Sequence, residues 1–144
     1  RSEDSLEADD VMGIMATRSP RNYVVASTDK DLKQVPGVHY NWRTDCMEQV
    51  TTPDADYWFY FQVLTGDSTD GYSGCPGVGP RRAKTVLEGA GAHPWASIVA
   101  AFESKGLTEE DALAQARVAR ILRCDDYDFV RRRPIMWRPR LDWA

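Results

Sequence analysis

The hydrophobic positions of this 144-residue chain change their spacing about halfway along the sequence. Residues 6–18 carry apolar side chains at helical intervals, at Val11, Ile14 and Met15, which predicts a helix with one apolar face. Residues 23–27 are a short, nearly continuous apolar run, which is typical of a buried parallel strand. Residues 38–43 and 47–51 predict two further strands that could pair as a hairpin. The first part of the chain is therefore predicted to mix helix and sheet.

Helical patterns dominate the middle of the sequence. Residues 54–64 predict a helix whose inward side chains are Trp58, Phe61 and Leu64. Residues 66–89 combine an acidic turn, a glycine-proline hairpin and a helix that ends near a glycine. Residues 93–102 predict one more helix.

The last predicted helix begins at Thr108, with three acids in its first turn, and is expected to run to about Arg123. Arginines recur on it at every third position, at 117, 120 and 123, which predicts a basic stripe. Residues 127–144 contain many arginines and tryptophans and read as irregular. Among them, Arg131 to Arg133 could follow a phosphate backbone and Trp137 or Trp143 could stack on bases, although a solvated charge run and core packing are the simpler interpretations.

Composition narrows the class of protein. With 42% hydrophobic and 28% charged residues, the chain is expected to be one ordinary soluble, globular domain with a real core, and no apolar run approaches the ~20 residues of a membrane span. Three scattered cysteines (Cys46, Cys75 and Cys124) argue against a disulfide framework and for a reducing compartment, with Cys75 expected to be a buried free thiol. His39 and His93 do not lie near a cysteine pair, which argues against a zinc site.

The charge is unevenly distributed. Residues 1–80 hold 13 acidic and 6 basic side chains, whereas residues 81–144 hold 9 acidic and 12 basic ones, so that balances of −7 and +3 give the net charge of −4. Such a division could place metal ions in one part and nucleic-acid phosphates on the other, although surfaces also vary by chance.

Seven acids in three clusters are the candidate chemistry: Glu7, Asp9 and Asp10; Asp29 and Asp31; Asp67 and Asp70. Carboxylate clusters suit hard divalent cations, which prefer oxygen ligands. In the first cluster, Glu7 and Asp10 should share a helix face, and Asp9 should point elsewhere. In the second, alternation at a strand end should aim both carboxylates the same way. Each cluster also has a simpler explanation, namely a favourable helix dipole or an aspartate helix cap.

The third cluster leads directly into a glycine-rich hairpin and a basic helix start. The candidate DNA-binding residues there are Gly77, Val78, Gly79, Arg81, Arg82 and Lys84. Glycine lets a backbone approach a phosphate, the first amides of a helix can donate to it, and the basic side chains add charge. A plain helical corner with solvated basic residues is the alternative. The combination of acidic clusters and hairpin predicts a metal-dependent enzyme that acts on nucleic acid.

The motifs Glu-Ala-Asp-Asp, Ser-Thr-Asp-Lys-Asp-Leu and Gly-Asp-Ser-Thr-Asp-Gly-Tyr-Ser-Gly-Cys-Pro-Gly-Val-Gly-Pro, in this order, resemble the flap endonuclease and 5′-to-3′ exonuclease family, most closely its podovirus-type phage members. The likeness continues through Thr-Glu-Glu-Asp and Ala-Arg-Ile-Leu-Arg to Trp-Arg-Pro. It implies an α/β fold: the C-terminal part of a PIN-like, Rossmann-like nuclease core in residues 1–66, then a helix–three-turn–helix DNA-binding region and tail in residues 67–144.

The resemblance also implies site roles. Glu7 and Asp9 would hold a first Mg²⁺ or Mn²⁺ ion, Asp29, Asp31 and Asp70 a second, and Asp10 and Asp67 would support them. The hairpin would bind the backbone of duplex DNA with a 5′ end or flap, and main-chain carbonyls there would hold a K⁺ ion. A hybrid containing RNA is a further substrate that the likeness allows. The expected location is intracellular, in the host cytoplasm if a phage encodes the protein.

Family members carry an aspartate-bearing strand, a second aspartate and a basic helical arch before the first motif of this chain. We therefore expect a C-terminal fragment or one half of a split enzyme, with an N-terminal half as its partner and with exposed apolar sheet edges. A non-catalytic duplex-DNA-binding subunit that uses the hairpin alone is the alternative function. A PIN-type ribonuclease is a third, against which the hairpin argues.

Overall fold

The computed structural model describes residues 6–140, which fall into two compact units. Of the described residues, the first unit contains 6–56 and 121–136, and the second contains 57–120 and 137–140. These units are defined by compactness, and the boundary expected between the nuclease core (residues 1–66) and the DNA-binding region (residues 67–144) remains a prediction. The opening residues 1–5 and Trp143 lie outside the described range. No helix in the described part of the chain combines the length and apolar character that a membrane span requires.

The first unit is built on a three-stranded sheet. Helix α1 (Ala8–Arg18) precedes strand β1 (Val24–Ala26), a 3₁₀ helix (Lys30–Gln34), β2 (Gly37–Asn41) and β3 (Cys46–Val50). Strand β1 pairs with β2 in parallel, and β2 and β3 form the predicted antiparallel hairpin, so the strand order is β1-β2-β3. The core beside the sheet contains Ala16, Val25, Leu32, Val35 and Ile121.

Strand β1 confirms the predicted parallel pairing but not the predicted burial. Only the middle residue, Val25, is buried, whereas Tyr23 and Val24 are 41% and 51% exposed. Strand β1 is an edge of this sheet, so within the described residues no strand pairs with its other side, and its outward side chains stay exposed.

Helix α2 (Thr52–Thr65) contributes its first turn to the first unit and the rest to the second. Of the three side chains expected to face inward, Leu64 is fully buried, and Trp58 and Phe61 are only partly buried. The fully buried positions next to Leu64 are Phe59 and Val63. Apolar side chains occupy nearly every position of this helix from residue 57 to 64, so the helical period of 3.6 residues cannot tell buried positions from exposed ones.

The second unit continues with three short helices, α3 (Pro80–Glu88), α4 (Pro94–Glu103) and α5 (Glu109–Ala119). Each has a clear start signal: proline occupies the first position of α3 and α4, and α5 has a capping box in which Thr108 and Asp111 bond to each other's backbone amides. Trp137, for which core packing was the simpler expectation, lies edge-on to Phe59 with 5.0 Å between the ring centroids. The aromatic core of this unit therefore includes a residue of the tail.

Two sequence predictions about the last third of the chain are wrong. Helix α5 ends at Ala119 rather than Arg123, because the amides of Ile121 and Leu122 and the guanidinium of Arg123 bond to residues of the first unit that are far away in the sequence. Arg123 therefore lies outside the helix and the predicted basic stripe does not form. The tail is not wholly irregular either, since a short 3₁₀ helix (Cys124–Asp126) leads into a hairpin of β4 (Tyr127–Asp128) and β5 (Arg133–Pro134).

Candidate metal centre and nucleic-acid interface

The first acidic cluster opens helix α1. Glu7 is the N-cap residue and is exposed, and Asp9 and Asp10 lie in the first turn, where the helix dipole stabilises negative charge. Asp10 is already engaged: its Oδ1 accepts a hydrogen bond from the Leu122 amide at 3.0 Å. One oxygen of Asp10 therefore has a structural role, and Glu7 is the most accessible carboxylate of the cluster.

The second cluster lies beyond the end of β1, in a turn and the 3₁₀ helix that follows it. Asp29 is the N-cap of this helix, and its Oδ1 accepts the amide of Asp31 at 2.9 Å. The Asp29 amide in turn donates to the hydroxyl of Ser27 at 2.9 Å. Because β1 ends at Ala26, Asp29 and Asp31 lie in the turn and the 3₁₀ helix rather than at alternating strand positions, so strand alternation does not orient their carboxylates. The helix-cap explanation is confirmed for Asp29, and the cap uses only one of the two carboxylate oxygens.

The third cluster occupies a loop that is closed at its neck by two glycines. Gly66 and Gly74 have φ of +69° and +66°, and a Cβ on either one would collide with the backbone of the other strand of the loop. The Gly74 amide donates to the side-chain oxygen of Gln115 at 2.8 Å, which ties the neck to α5. Sequence reasoning did not assign a role in the site to any of these three residues; the available signal was Gly66 directly before the Asp-Ser-Thr-Asp motif and Gly74 at the start of the hairpin.

Within this loop, Asp67 shapes the turn and Asp70 is presented at its surface. The Oδ1 atom of Asp67 accepts the amide of Thr69 at 2.9 Å and that of Asp70 at 3.4 Å, and its backbone forms a bridge with the buried Tyr72. Asp70 is exposed and Asp67 is half-buried. The loop thus holds one carboxylate through hydrogen bonds and leaves the other open to solvent.

The hairpin that follows has a buried underside and an open backbone. The side chains of Cys75 and Val78 are buried in the core of the unit, so any contact that Val78 makes with DNA would have to use its main chain. Gly77 has φ of +71°, which favours glycine. Gly79 has φ of −87° and nothing within 4 Å of the place of a Cβ, so the fold itself does not require glycine there.

Helix α3 begins directly after this hairpin, with Gly79 as N-cap and Pro80 at the first position. The first amides of a helix lack partners within it, and they carry partial positive charge that suits a phosphate. Arg81, Arg82 and Lys84 are all exposed around this start, although Lys84 also forms a 3.7 Å ion pair with Glu88.

Burial raises the pKa of the Cys75 thiol, and the positive charges of Lys105 and Arg82 lower it in part. Cys75 is therefore a protonated core residue rather than a nucleophile.

Comparison with known proteins identifies relatives along nearly the whole chain. The exodeoxyribonuclease of Enterobacteria phage T3 is 32% identical over 96% of this chain, and the exonuclease of Escherichia phage T7 is 33% identical over 95%. This chain spans 57% of the length of each of these two relatives. DNA polymerase I of Rhizobium leguminosarum is 34% identical over 59% of this chain, which corresponds to 10% of the polymerase. No family model matches the chain.

Solved structures share the fold. A mutant of T5 5′-exonuclease matches 79% of this chain and 55% of its own length with a TM-score of 0.64 at 16% identity. A T5 protein co-crystallised with metal ions matches with the same TM-score at 15% identity, over 79% of this chain and 49% of its own. These matches confirm the predicted α/β fold of a PIN-like 5′ nuclease core with its helical region, and the phage relatives confirm the resemblance that the acidic motifs indicated.

Proposed function

Since this chain resembles the 5′-to-3′ exonuclease and flap endonuclease family over nearly all of its length, we propose that it is part of a metal-dependent nuclease that hydrolyses phosphodiester bonds of duplex DNA from a 5′ end or flap. The observation that carries this proposal is the match to phage exonucleases over 96% and 95% of the chain. As the chain spans 57% of those relatives, the activity is proposed for the assembled nuclease, acting inside the cell, in the host cytoplasm if a phage encodes it.

The acidic residues fit a hard divalent cation, because their donor atoms are carboxylate oxygens. We assign Glu7 and Asp9 to one Mg²⁺ or Mn²⁺ ion and Asp29, Asp31 and Asp70 to a second, with Asp10 and Asp67 as supporting residues. Asp67 and Asp70 belong to one loop of the second unit, which offers two carboxylates to a metal ion. Two bound metal ions would supply an activated water and stabilise the leaving oxygen. The protein's part is to hold these carboxylates in place, which the turn hydrogen bonds of Asp29 and Asp67 support.

The hairpin and the start of α3 are the proposed DNA-binding element. The place of a Cβ on Gly79 is open, and that on Gly77 meets only the end of the flexible Lys105 side chain, with Nζ at 3.6 Å, so a phosphate could approach the amides of this backbone closely. Arg81, Arg82 and Lys84 add the positive charge that makes such binding depend on salt. The carbonyls of the same hairpin are the proposed site of a K⁺ ion.

The rest of the nuclease is the proposed partner of this chain. Relatives of this chain are longer than it is, and strand β1 exposes Tyr23 and Val24 at the edge of its sheet. We propose that the N-terminal portion of such a nuclease, whether in the same polypeptide or a separate one, completes the catalytic core.

One observation favours a second function. Asp10, Asp29 and Asp67 each accept backbone hydrogen bonds, so these acids have structural reasons to be present without a metal ion. A non-catalytic duplex-DNA-binding subunit would need them only for this purpose and would bind DNA through the hairpin.

Cleavage of a 5′-labelled duplex separates the two functions. The chain is assayed with Mn²⁺ or Mg²⁺ and with a chelator, alone and together with the N-terminal portion of a phage exonuclease relative. Metal-dependent cleavage that is lost in Asp29→Asn and Asp70→Asn but kept in Asp54→Asn, an exposed acid outside the clusters, would support the nuclease. DNA binding that survives both substitutions, with no cleavage from the complemented chain, would establish the binding subunit instead.

A further inference from the structure

Residues 121–126, called here the 121–126 segment, follow helix α5 and bond to helix α1 on one side. The Leu122 amide donates to Oδ1 of Asp10 at 3.0 Å, and the Cys124 amide donates to the hydroxyl of Thr17 at 2.7 Å. Asp10 and Thr17 are two helical turns apart and so lie on one face of α1. The segment therefore runs along α1 from its acidic first turn to its end.

The alternate residues of the same segment bond to the 3₁₀ helix that carries Asp31. The Ile121 amide donates to Oε1 of Gln34 at 2.9 Å. The Arg123 guanidinium donates twice to the Gln34 main-chain oxygen, from Nε at 3.0 Å and from Nη2 at 2.7 Å. Gln34 is the last residue of this helix, and both Gln34 and Arg123 are buried. The backbone is extended at residues 120 and 123, before the 3₁₀ helix that ends the segment, and successive residues of an extended backbone point to opposite sides, which lets this part of the segment bond to two elements.

Two further contacts fix the segment in place. Nη1 of Arg123 forms a 2.7 Å ion pair with Asp56, and the Arg123 amide donates to Asp126 at 3.0 Å. Gly13 of α1 lies so close to the segment that a Cβ there would fall on the Leu122 carbonyl oxygen. Helix α1 can reach the segment at this distance only because position 13 has no side chain.

We propose that the 121–126 segment sets the spacing between the acids of α1 and the acids of the 3₁₀ helix, and that Asp10 and Arg123 are positioning residues for metal binding. This inference rests on the proposed nuclease function. In it, Asp10 acts as a hydrogen-bond acceptor that anchors the first turn of α1 rather than through its charge as a metal ligand. Arg123 holds the end of the 3₁₀ helix through its two bonds to one carbonyl oxygen.

Titration of the full chain with Mn²⁺, followed by the electron paramagnetic resonance of the free ion, tests the role of Asp10. Asp10→Asn keeps an oxygen that can accept the Leu122 amide, so it should bind Mn²⁺ within about threefold of the unmodified chain. Asp10→Ala removes the acceptor and should bind roughly 10- to 100-fold more weakly, the usual loss when a supporting partner of a metal ligand is removed. Equal weakening in both variants would show that the charge of Asp10 matters and would overturn its positioning role.

Arg123 is tested in the same titration. Arg123→Lys keeps the charge but cannot make the paired bonds to the Gln34 carbonyl, so Mn²⁺ binding should weaken about tenfold or more. Asp56→Asn disturbs the ion pair and leaves the carbonyl bonds in place; its binding should stay near that of the unmodified chain. Thermal unfolding of every variant separates loss of fold from loss of metal binding. Binding in Arg123→Lys equal to that of Asp56→Asn would overturn the role of Arg123.

The failure of the underlying function has a different signature. If Mn²⁺ binding by the unmodified chain is the same as in Asp31→Asn, the proposed metal site itself is wrong and the inference fails with it. If Asp31→Asn abolishes binding but the Asp10 and Arg123 variants do not follow the expected order, only the positioning role fails.

Discussion

Replacement of Gly79 by serine should make the protein more stable and its binding to DNA weaker. Gly79 is the N-cap of α3, with φ of −87° and ψ of −176°, an extended conformation that any residue adopts, and there is open space where a side chain would lie. Serine is a better N-cap than glycine by a few tenths of a kcal/mol. Loss of glycine's freedom in the unfolded chain adds about 0.4–1 kcal/mol. The free energy of unfolding should therefore rise by roughly 0.5–1.5 kcal/mol.

The effect on DNA has the opposite sign. A phosphate that approaches the hairpin would meet the new Cβ, and the serine hydroxyl would accept the amide near the start of α3 that the phosphate needs. The loss of one hydrogen bond to a charged group is about 1.5–3 kcal/mol, which corresponds to roughly 10- to 150-fold weaker binding.

Urea unfolding gives the stability, and fluorescence anisotropy of a labelled duplex in the presence of a chelator gives the affinity without cleavage. Gly89→Ser, at the other end of the same helix and also at an ordinary φ of −82°, is the matched control and should bind DNA normally. A Gly79→Ser protein that is more stable and still binds DNA as tightly as the control would refute a close approach of phosphate to this backbone.

Three other predictions concern charge and ionisation. Replacing both Arg81 and Arg82 by glutamine should reduce the slope of log affinity for duplex DNA against log salt concentration by about two, and an unchanged slope would remove these side chains from the interface. Cys75, buried and with a raised pKa, should react with a thiol reagent far more slowly than the exposed Cys46 until the protein unfolds; equal rates in native conditions would contradict this. Backbone hydrogen bonds from its own turn, first that of the Arg131 amide, lower the pKa of Asp128 below its ordinary value of 3.8. The ionised carboxylate therefore stabilises the hairpin above pH 3.8, and this stabilisation is lost as the pH falls through the lower pKa of the folded protein. Titration of the carboxyl group by NMR should give a midpoint below 3.8, and a midpoint at or above 3.8 would contradict this.

The sequence by itself determined the features that depend on neighbouring residues. Proline at position 80 and the glycines before it specify the hairpin and the start of α3, and Thr108 with Asp111 specifies the start of α5. The strands of the first unit could be read in the same way, because pairing between β2 and β3 needs only a short turn. The acidic clusters could also be recognised from the sequence, since each lies in a local turn or in the first turn of a helix.

Only the tertiary structure decided where α5 ends and what Arg123 does. By spacing alone, Arg123 continues a helical series, but its guanidinium bonds to a carbonyl 89 residues earlier in the chain and to Asp56, 67 residues earlier. Likewise, Asp10 reads as an ordinary acid of a first turn until the Leu122 amide, 112 positions away, is found to donate to it. Local periodicity contains no information about partners so far apart, because the hydrogen bonds that stop the helix form only when the chain has folded back onto its first unit.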